Sequence, residues 1–313
     1  MKKKFIGWDS GIVTIAVREL MNEAQGSPPD LSRICIVTQT AQSGRRLRAE
    51  LAGNFPDGFF PPLLVTTEFF LRNTNETVKL PSSLDEKFIW METIRNAPDD
   101  LIGNSKLRRS FSVDILSKTA SKFCEIRRQL AENSFTIGSF AEKASEMQLD
   151  EAERWANFAE LEKIYLDELK RHGYDDTEIW KINSKPDFDR LKGIGKIILL
   201  GLCDPIPIAM DKIRIIAEKI ETEIWIHAPN DLAHSFDDWG RPLTEIWEKS
   251  QIDVDPRQVL TAQDYNKTAE MTVDKFAENL KKNMNCAIAI LNQDVLPYLR
   301  KEFAEKSLEI CNP

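Results

Sequence analysis

The sequence predicts an α/β fold in which a parallel sheet is flanked by helices and interrupted by a large all-helical insertion. Two patterns predict the sheet: short, continuous apolar runs recur along the chain, and most are followed by a stretch whose apolar residues have helical spacing. Strands and helices alternating in this way are typical of parallel sheets covered on both faces. A third pattern predicts the insertion, because no strand-like run occurs between Leu84 and Leu191.

The first part of the sheet is predicted from three short strands. Residues 3–7 form the first, and apolar residues at helical spacing follow it from Ile12 to Met21. The run Ile34–Val37 is the second strand, and the stretch from Thr40 to Leu51 follows as a helix. The third strand, Leu63–Thr66, comes after a pair of prolines. Because parallel strands are joined by crossover connections, this order predicts consecutive strand–helix units in one sheet.

Residues 84–190 are interpreted as a helical insertion domain. Apolar spacing predicts one helix from Phe111 to Leu130 and another from Asp150 to Arg171. Gly173 is suited to the C-cap of the second helix, because glycine adopts the left-handed conformation that often ends a helix. These helices are long enough to build a separate apolar core.

The sheet resumes after the insertion, with strands predicted at Lys196–Leu202 and Glu223–His227 and a helix between them from Pro205 to Lys219. We then expect a helix around Ala269–Leu280, a last strand at Cys286–Leu291, and a final helix capped by Asp294. The predicted domains are therefore a discontinuous α/β domain of residues 1–83 and 191–284, the insertion, and residues 285–313. The last segment is either the start of a second α/β domain or a C-terminal strand and helix.

Composition limits the classes of protein to which this chain belongs. Its 313 residues carry a net charge of −8, which argues against non-specific coating of nucleic acid but leaves room for a local basic groove. No two of the five cysteines have the CxxC spacing of a zinc or iron–sulfur site, and we expect neither a metal nor a cofactor. No apolar run reaches the roughly 20 residues of a membrane span. No signal-peptide core follows the basic N-terminus, so we expect a cytoplasmic protein without membrane contacts.

The turn after the first strand has the position of a phosphate-binding loop but lacks its key residues. The pattern G-x-x-x-x-G-K-[ST] aligns with Gly7-Trp8-Asp9-Ser10-Gly11-Ile12-Val13-Thr14, in which only Gly7 and Thr14 fit. Gly11 lies one residue before the second glycine position, which isoleucine occupies, and Val13 replaces the lysine that neutralises phosphate charge. We therefore predict a degenerate loop that binds no nucleotide. A two-residue match is also compatible with an ordinary strand–helix turn.

A resemblance to a helicase family gives these elements a common interpretation. Ile34–Leu51 resembles the second strand, threonine-containing turn and helix of superfamily 1 helicases, and its arginine-rich form is similar to the N-terminal region of AddB proteins. Ile197–Pro207 lies where such a helicase carries its Walker B strand. Further similarities in the same order are Phe59–Thr67, Trp155–Gly173 and Cys286–Lys301. The resemblance spans nearly the whole chain and is carried by order and spacing.

The resemblance implies a P-loop-NTPase-like fold without ATP chemistry. Leu200 and Gly201 occupy the positions of the paired Walker B acids, and Asp204 lies beyond them. On this interpretation the first strand and the strand containing Leu200 are neighbours in one sheet. The family's nuclease domain would follow Pro313, so we expect either a truncated chain or a short relative, with no catalytic residues of its own.

The resemblance also implies a contact with single-stranded DNA at the turn after the second strand. We predict a non-catalytic, helicase-like module of an AddAB-type complex that processes DNA double-strand breaks before recombination. It would bind single-stranded DNA, brace an AddA-like helicase–nuclease partner, or both. The residues expected to contact DNA are Thr38, Gln39, Thr40, Arg45, Arg46 and Arg48.

Other interpretations stay open from the residues alone. The net charge of −8 favours a scaffold that contacts only protein. A divergent NTPase, or a small-molecule enzyme acting near Cys203 and Asp204 at the end of a strand, is a further alternative. A different basic groove, on the insertion, would use Arg108–Arg109 and Arg127–Arg128, together with Lys118 and Lys122. His172 is interpreted as a cation at a helix C-terminus.

Overall fold

The computed structural model describes residues 1–72, 77–98, 101, 112–251, 255–282 and 286–308. These residues form two compact units, Met1–Glu248 and Lys249–Pro313. The first unit contains the sheet and the helical insertion, and the second contains two longer helices. Arg108, Arg109 and Phe111 lie outside the described residues, so the predicted groove involving the first two has no structural description here.

The first unit is built on a five-stranded sheet in which every pairing is parallel. The strand order is β1-β5-β4-β2-β3, which confirms the predicted α/β class with a parallel sheet. One expectation was wrong: β1 and β4 belong to the same sheet but are not neighbours, because β5 pairs with both of them. The strands are β1 (Lys2–Phe5), β2 (Ile34–Thr38), β3 (Leu63–Val65), β4 (Lys196–Leu200) and β5 (Glu221–Ile226).

Helices cover both faces of this sheet and also form the insertion. None of the helices among the described residues is both long and apolar enough to cross a membrane. The helices of the first unit are α1 (Ile12–Glu23), α2 (Ala41–Asn54), α3 (Ser83–Asn96), α4 (Val113–Glu132), α5 (Ile137–Glu146), α6 (Ala152–Arg171), α7 (Thr177–Asn183), α8 (Pro207–Ile216) and α9 (Thr244–Trp247).

The continuous apolar runs of the central strands are explained by burial on both faces. All five residues of β2 are buried, and successive side chains point to opposite sides of the sheet. Ile36 and Leu200 pack in the apolar cluster that contains the buried faces of α1 and α2. Val37 and Leu199 pack on the other side, with the buried residues of α8. The result is a three-layer arrangement in which helices cover the sheet on either side.

The described residues of the insertion form helices α3 to α7, and residues of α3 to α6 build an aromatic core. The indole of Trp90 on α3 stacks on Phe123 of α4 at 4.6 Å and on Tyr165 of α6 at 4.2 Å between ring centroids. All three rings belong to one buried cluster. The helices predicted at 111–130 and 150–171 correspond to α4 and α6.

Arg127 belongs to the interior of the insertion and not to a surface groove. Its guanidinium is only 4% exposed and donates to Glu162 at 2.8 Å and to both carboxylate oxygens of Asp176 at 2.7 and 2.9 Å. The pair of arginines at 127 and 128 therefore divides: Arg128 is exposed, whereas Arg127 joins α4, α6 and the N-cap of α7. The prediction of a basic groove was wrong for Arg127, because successive residues of a helix point about 100° apart, so that one of two neighbours can face the core while the other faces solvent.

The second unit contains two longer helices, α10 (Tyr265–Lys281) and α11 (Leu296–Glu305). They pack through Ala269 and Val273 on α10 and Leu299 and Phe303 on α11. Helix α10, which the sequence analysis placed with the sheet, thus belongs to this unit. The strand expected at 286–291 is absent: these residues are in no strand, and no described residue of the unit supplies a strand partner. An isolated apolar run does not form a strand, because the strand needs a hydrogen-bonded neighbour.

Candidate functional site

The turn between β1 and α1 is tied to the end of β5. Gly7 adopts a φ of 74°, and its amide donates to the Ala228 carbonyl oxygen at 3.0 Å. The carbonyl oxygen of Ser10 lies 3.0 Å from Nε2 of His227. The carboxylate of Asp9 folds back over Gly7, since a Cβ built on Gly7 would lie 3.1 Å from Asp9 Oδ1. A phosphate bound in this turn would therefore meet a carboxylate and one amide that already has a partner.

Apolar side chains fill the space between this turn and the end of β4. Ile12, the first residue of α1, packs so closely on Gly201 that a Cβ on Gly201 would overlap Ile12 Cδ1. Gly201 also has a φ of 56°, which other residues rarely adopt. Val13 is buried in the same cluster as Leu200. The two degenerate motifs are therefore in contact through apolar groups, although β5 separates their strands.

The glycine and threonine that remain of the predicted loop, Gly11 and Thr14, lie in surroundings that show no phosphate-binding role. Gly11 is the N-cap of α1, with no atom within 4 Å of a Cβ built on it. The exposed Thr14 points its hydroxyl at Glu50 Oε2 on α2, at 3.4 Å. Arg18 lies 3.9 Å from the Asp9 carboxylate, where it partly balances that charge.

The turn after β2 is held by its two threonines. Thr38 is buried, and its hydroxyl donates to the Thr40 carbonyl oxygen at 2.9 Å. Thr40 in turn caps α2, because its side-chain oxygen accepts from the Ser43 amide at 3.1 Å. Gln39 and Thr40 are exposed between β2 and α2. The structure therefore gives Thr38 and Thr40 a role in shaping the turn and leaves Gln39 facing solvent.

A cavity of about 240 Å³ lies beside this turn, and we call it the basic cavity. Arg45 and Arg48 reach it from α2, where a spacing of three residues places them on the same helix face. Arg72 reaches it from the far end of the 3₁₀ turn Thr67–Leu71, which follows β3. The lining residues are Thr38, Ala41, Gly44, Arg45, Arg48, Leu64, Val65, Thr66, Phe69 and Arg72.

Positive charge predominates among the described residues that line the basic cavity. Three of these residues are arginines and none of them is acidic. Within the described residues, no carboxylate lies within 4 Å of Arg45, Arg48 or Arg72; Arg45 donates instead to the neutral Gln42 side chain at 3.0 Å. A cavity lined by three arginines would suit an anion with several acceptor oxygens.

The structure separates the three arginines that the sequence grouped together. Arg46 does not line the basic cavity; its side chain is 70% exposed and lies 3.8 Å from Glu50 on the same helix. Arg72 takes its place, and the sequence analysis missed it because the predicted strand ended at Thr66. The available signal was the apolar run Phe69-Phe70-Leu71 directly before Arg72, at the carboxyl end of a strand.

A second cavity adjoins the basic cavity and has aromatic walls. Its volume is about 460 Å³, and it shares Phe69 and Arg72 with the basic cavity. Arg190 lines it as well, and burial together with the nearby charge of Arg72 lowers the pKa of that guanidinium. The other lining residues are Phe70, Trp180, Ser184, Lys185, Pro186, Asp187, Asp189 and Ile216. Flat side chains therefore lie directly beside the cluster of positive charge.

The other candidate residues do not form a comparable site. Cys203 is exposed, and its only hydrogen-bond partner among the described residues is the Gly201 carbonyl oxygen at 3.7 Å, so no base contacts it. His172 is the C-cap of α6, where its Nε2 lies 3.5 Å from Glu92 Oε2. Glu168 offers a third ligand atom, within 4.8 Å of the other two. Exposed ion pairing explains this group.

No protein-family model matches the sequence, and a search of curated proteins also finds no match.

Proposed function

We propose that this chain is a non-catalytic, helicase-like module that binds single-stranded DNA within an AddAB-type complex for double-strand-break processing. Its partner would be an AddA-like helicase–nuclease subunit. The observation that carries the proposal is the basic cavity, which Arg45, Arg48 and Arg72 line together and in which none of the described lining residues is acidic. Phosphate contacts from arginine supply much of the affinity of proteins for nucleic acid.

The position of the basic cavity supports this proposal. It lies at the carboxyl ends of β2 and β3, and ligands of parallel α/β sheets bind at that edge. It also lies beside the first turn of α2, where the helix dipole favours negative charge. The aromatic side chains of the adjoining cavity suit the faces of unpaired bases, which stack on aromatic rings in proteins that bind single strands.

The turn after β1 supports a P-loop-like fold that has lost its nucleotide. A glycine-bearing turn between a parallel strand and a helix N-terminus is the setting of a phosphate loop. Here Ile12 occupies the space above Gly201, and the Asp9 carboxylate covers Gly7. A phosphate group would meet the apolar side chain of Ile12 and the negative charge of Asp9. We therefore propose that DNA binding is independent of ATP.

Fluorescence anisotropy with a labelled single-stranded oligothymidylate tests the proposal through a matched pair of variants. Arg45→Glu and Arg46→Glu change adjacent residues of one helix and alter the net charge equally. We expect Arg45→Glu to weaken binding at least tenfold, which corresponds to about 1.4 kcal/mol, and Arg46→Glu to change it little. Measurements at about 50 and 200 mM salt should show the loss of affinity with salt that phosphate contacts produce.

Three outcomes would contradict the proposal in different ways. If the unmodified chain does not bind at low salt, a scaffold that contacts only protein becomes the better interpretation. If both variants weaken binding equally, the overall positive charge of α2 accounts for DNA binding, and the basic cavity is not the site. If millimolar ATP with magnesium releases heat in a calorimetric titration, the chain is a divergent NTPase.

A further inference from the structure

The helical insertion is connected to the sheet by two segments that contact each other. The 3₁₀ turn Thr67–Leu71 lies on the entering segment, after β3, and the 3₁₀ turn Asp189–Leu191 lies on the leaving segment, before β4. Arg190 on the leaving segment donates from Nη1 to the Phe69 carbonyl oxygen at 2.6 Å. Its guanidinium carbon lies 3.7 Å from the centroid of the Phe69 ring. We call this pair of interactions the crossing contact.

The crossing contact holds a residue of the basic cavity. Phe69 lines that cavity, and Arg72 lies three residues further along the same chain segment. The entering turn is a five-residue 3₁₀ helix, and the hydrogen bonds of 3₁₀ helices are generally less well aligned than those of α-helices. Its far end is fixed by Leu71, which is buried against Ile182 of α7 and Ile208 of α8. Arg190 therefore fixes the middle of the turn, and the apolar cluster fixes its end.

Arg190 is influenced by one like charge and one opposite charge. Burial and the neighbouring Arg72 lower the pKa of its guanidinium, and the charge of Asp187 offsets part of that shift. The group contacts a carbonyl oxygen and an aromatic face, which suit the planar fork of arginine better than the point charge of lysine. The planar shape of the side chain therefore contributes to the crossing contact in addition to its charge.

We propose that Arg190 is a positioning residue for the basic cavity, which couples the helical insertion to nucleic-acid affinity by holding the turn that presents Arg72. This inference rests on the proposed function. Arg190 sits at the exit of the insertion, 121 residues from its partner in sequence. Without the crossing contact, the middle of the turn at Phe69 would be free to move, and only the buried Leu71 would still hold the segment that presents Arg72 toward Arg45 and Arg48.

Two substitutions at Arg190 separate positioning from direct contact with phosphate. Arg190→Lys keeps the charge but loses the planar fork, and Arg190→Gln loses both. We expect both variants to weaken oligothymidylate binding by a similar factor of roughly ten, the effect of losing one hydrogen bond to a charged group. Arg154→Lys is the matched control, because its guanidinium carbon lies 5.3 Å from the Phe158 ring elsewhere on the insertion. We expect that control to bind normally.

Hydrogen exchange tests the crossing contact without DNA. We expect the amides of residues 67–72 to exchange faster in Arg190→Lys than in the unmodified chain, while the buried strand β2 stays equally protected and reports that the variant is folded. Normal binding by Arg190→Lys with weak binding by Arg190→Gln would overturn the proposal, because Arg190 would then act through its charge. Unchanged exchange at 67–72 would also overturn it. If the unmodified chain binds no oligonucleotide, the proposed function fails, and the exchange result still shows whether the crossing contact holds the turn.

Discussion

Ile12 at the start of α1 packs directly on Gly201 at the end of β4, leaving no room for a Cβ on the glycine. On the proposed helicase-like fold, this contact would join the turns at which an active relative holds nucleotide and metal. It exists although β1 and β4 are separated by β5, because the turns at the carboxyl ends of the strands reach across the sheet edge. The Ile12 side chain fills the space beside Gly201 and packs these two turns together.

The contact predicts that Gly201→Ala destabilises the chain. The added methyl group would overlap Ile12 Cδ1, and alanine would have to adopt the φ of 56°. We expect a loss of about 1–3 kcal/mol in the free energy of unfolding, measured by chemical denaturation. Gly53→Ala on α2 is the control, since no atom lies within 4 Å of its Cβ position and the residue is helical; it should be neutral or stabilising. Equal stability of the two variants would show that Ile12 moves aside.

The basic cavity predicts how individual arginines affect the salt dependence of DNA binding. For Arg48→Ala and Arg72→Ala, we expect the slope of log K against log salt to decrease in magnitude by about 0.7 to 1, because each removes one phosphate contact. Arg46→Ala should leave the slope unchanged, since Arg46 lies outside the cavity beside Glu50. The effect should be the same for oligonucleotides of different sequence. A steeper loss for one sequence only would indicate that these arginines read bases.

The buried ion-pair network of the insertion predicts a large difference between two adjacent arginines. Arg127→Met would leave Glu162 and Asp176 buried without their cation, at a cost of about 3–5 kcal/mol in the free energy of unfolding. Arg128→Met should change it by less than about 0.5 kcal/mol, because Arg128 is exposed. Denaturation followed by the fluorescence of tryptophan would report both, since Trp90 lies in the same core. A small effect at Arg127 would mean that water reaches the two carboxylates.

We predict that Glu86 on α3 makes a pH-dependent contribution to the free energy of unfolding. Burial raises the pKa of its carboxyl above the ordinary value, and the charges of Glu178 and Asp176 add to the shift. A raised pKa in the folded state means that the protonated form favours folding, so this contribution is present at low pH and is lost as pH rises through the raised pKa. We expect Glu86→Gln to unfold at a higher temperature than the unmodified chain at pH 7, with the difference disappearing near pH 4. A variant less stable than the original at pH 7 would show that the charged carboxylate is needed.

Apolar runs in the sequence were sufficient to find the central strands β2 and β4, because these strands are buried on both faces. Ile34–Val37 and Ile197–Leu200 were found this way, and the helices between them followed from their spacing. The same criterion failed at Cys286–Leu291, which has the apolar pattern but no strand partner among the described residues of its unit. Apolar pattern reports the tendency to be buried, whereas strand formation depends on a neighbour supplied by the rest of the chain.

The candidate site was predicted only in part for a similar reason. The turn after β2 and the helix that carries Arg45 and Arg48 were identified from the sequence, but helix phase alone did not show that Arg46 faces away from the cavity. Arg72 and Arg190 lie far from α2 in sequence and reach the site through chain connections that pattern does not reveal.

The amino-acid sequence by itself determined the class of fold, the helical character of the insertion and the absence of a lysine from the turn after β1, because each depends on local residue type and spacing. Tertiary structure alone decided which arginines share a cavity, that Ile12 closes over Gly201, and that Arg127 is buried. These three features depend on which distant segments of the chain the fold brings within a few ångströms of each other. Packing and electrostatic interactions are strong only at such short distances.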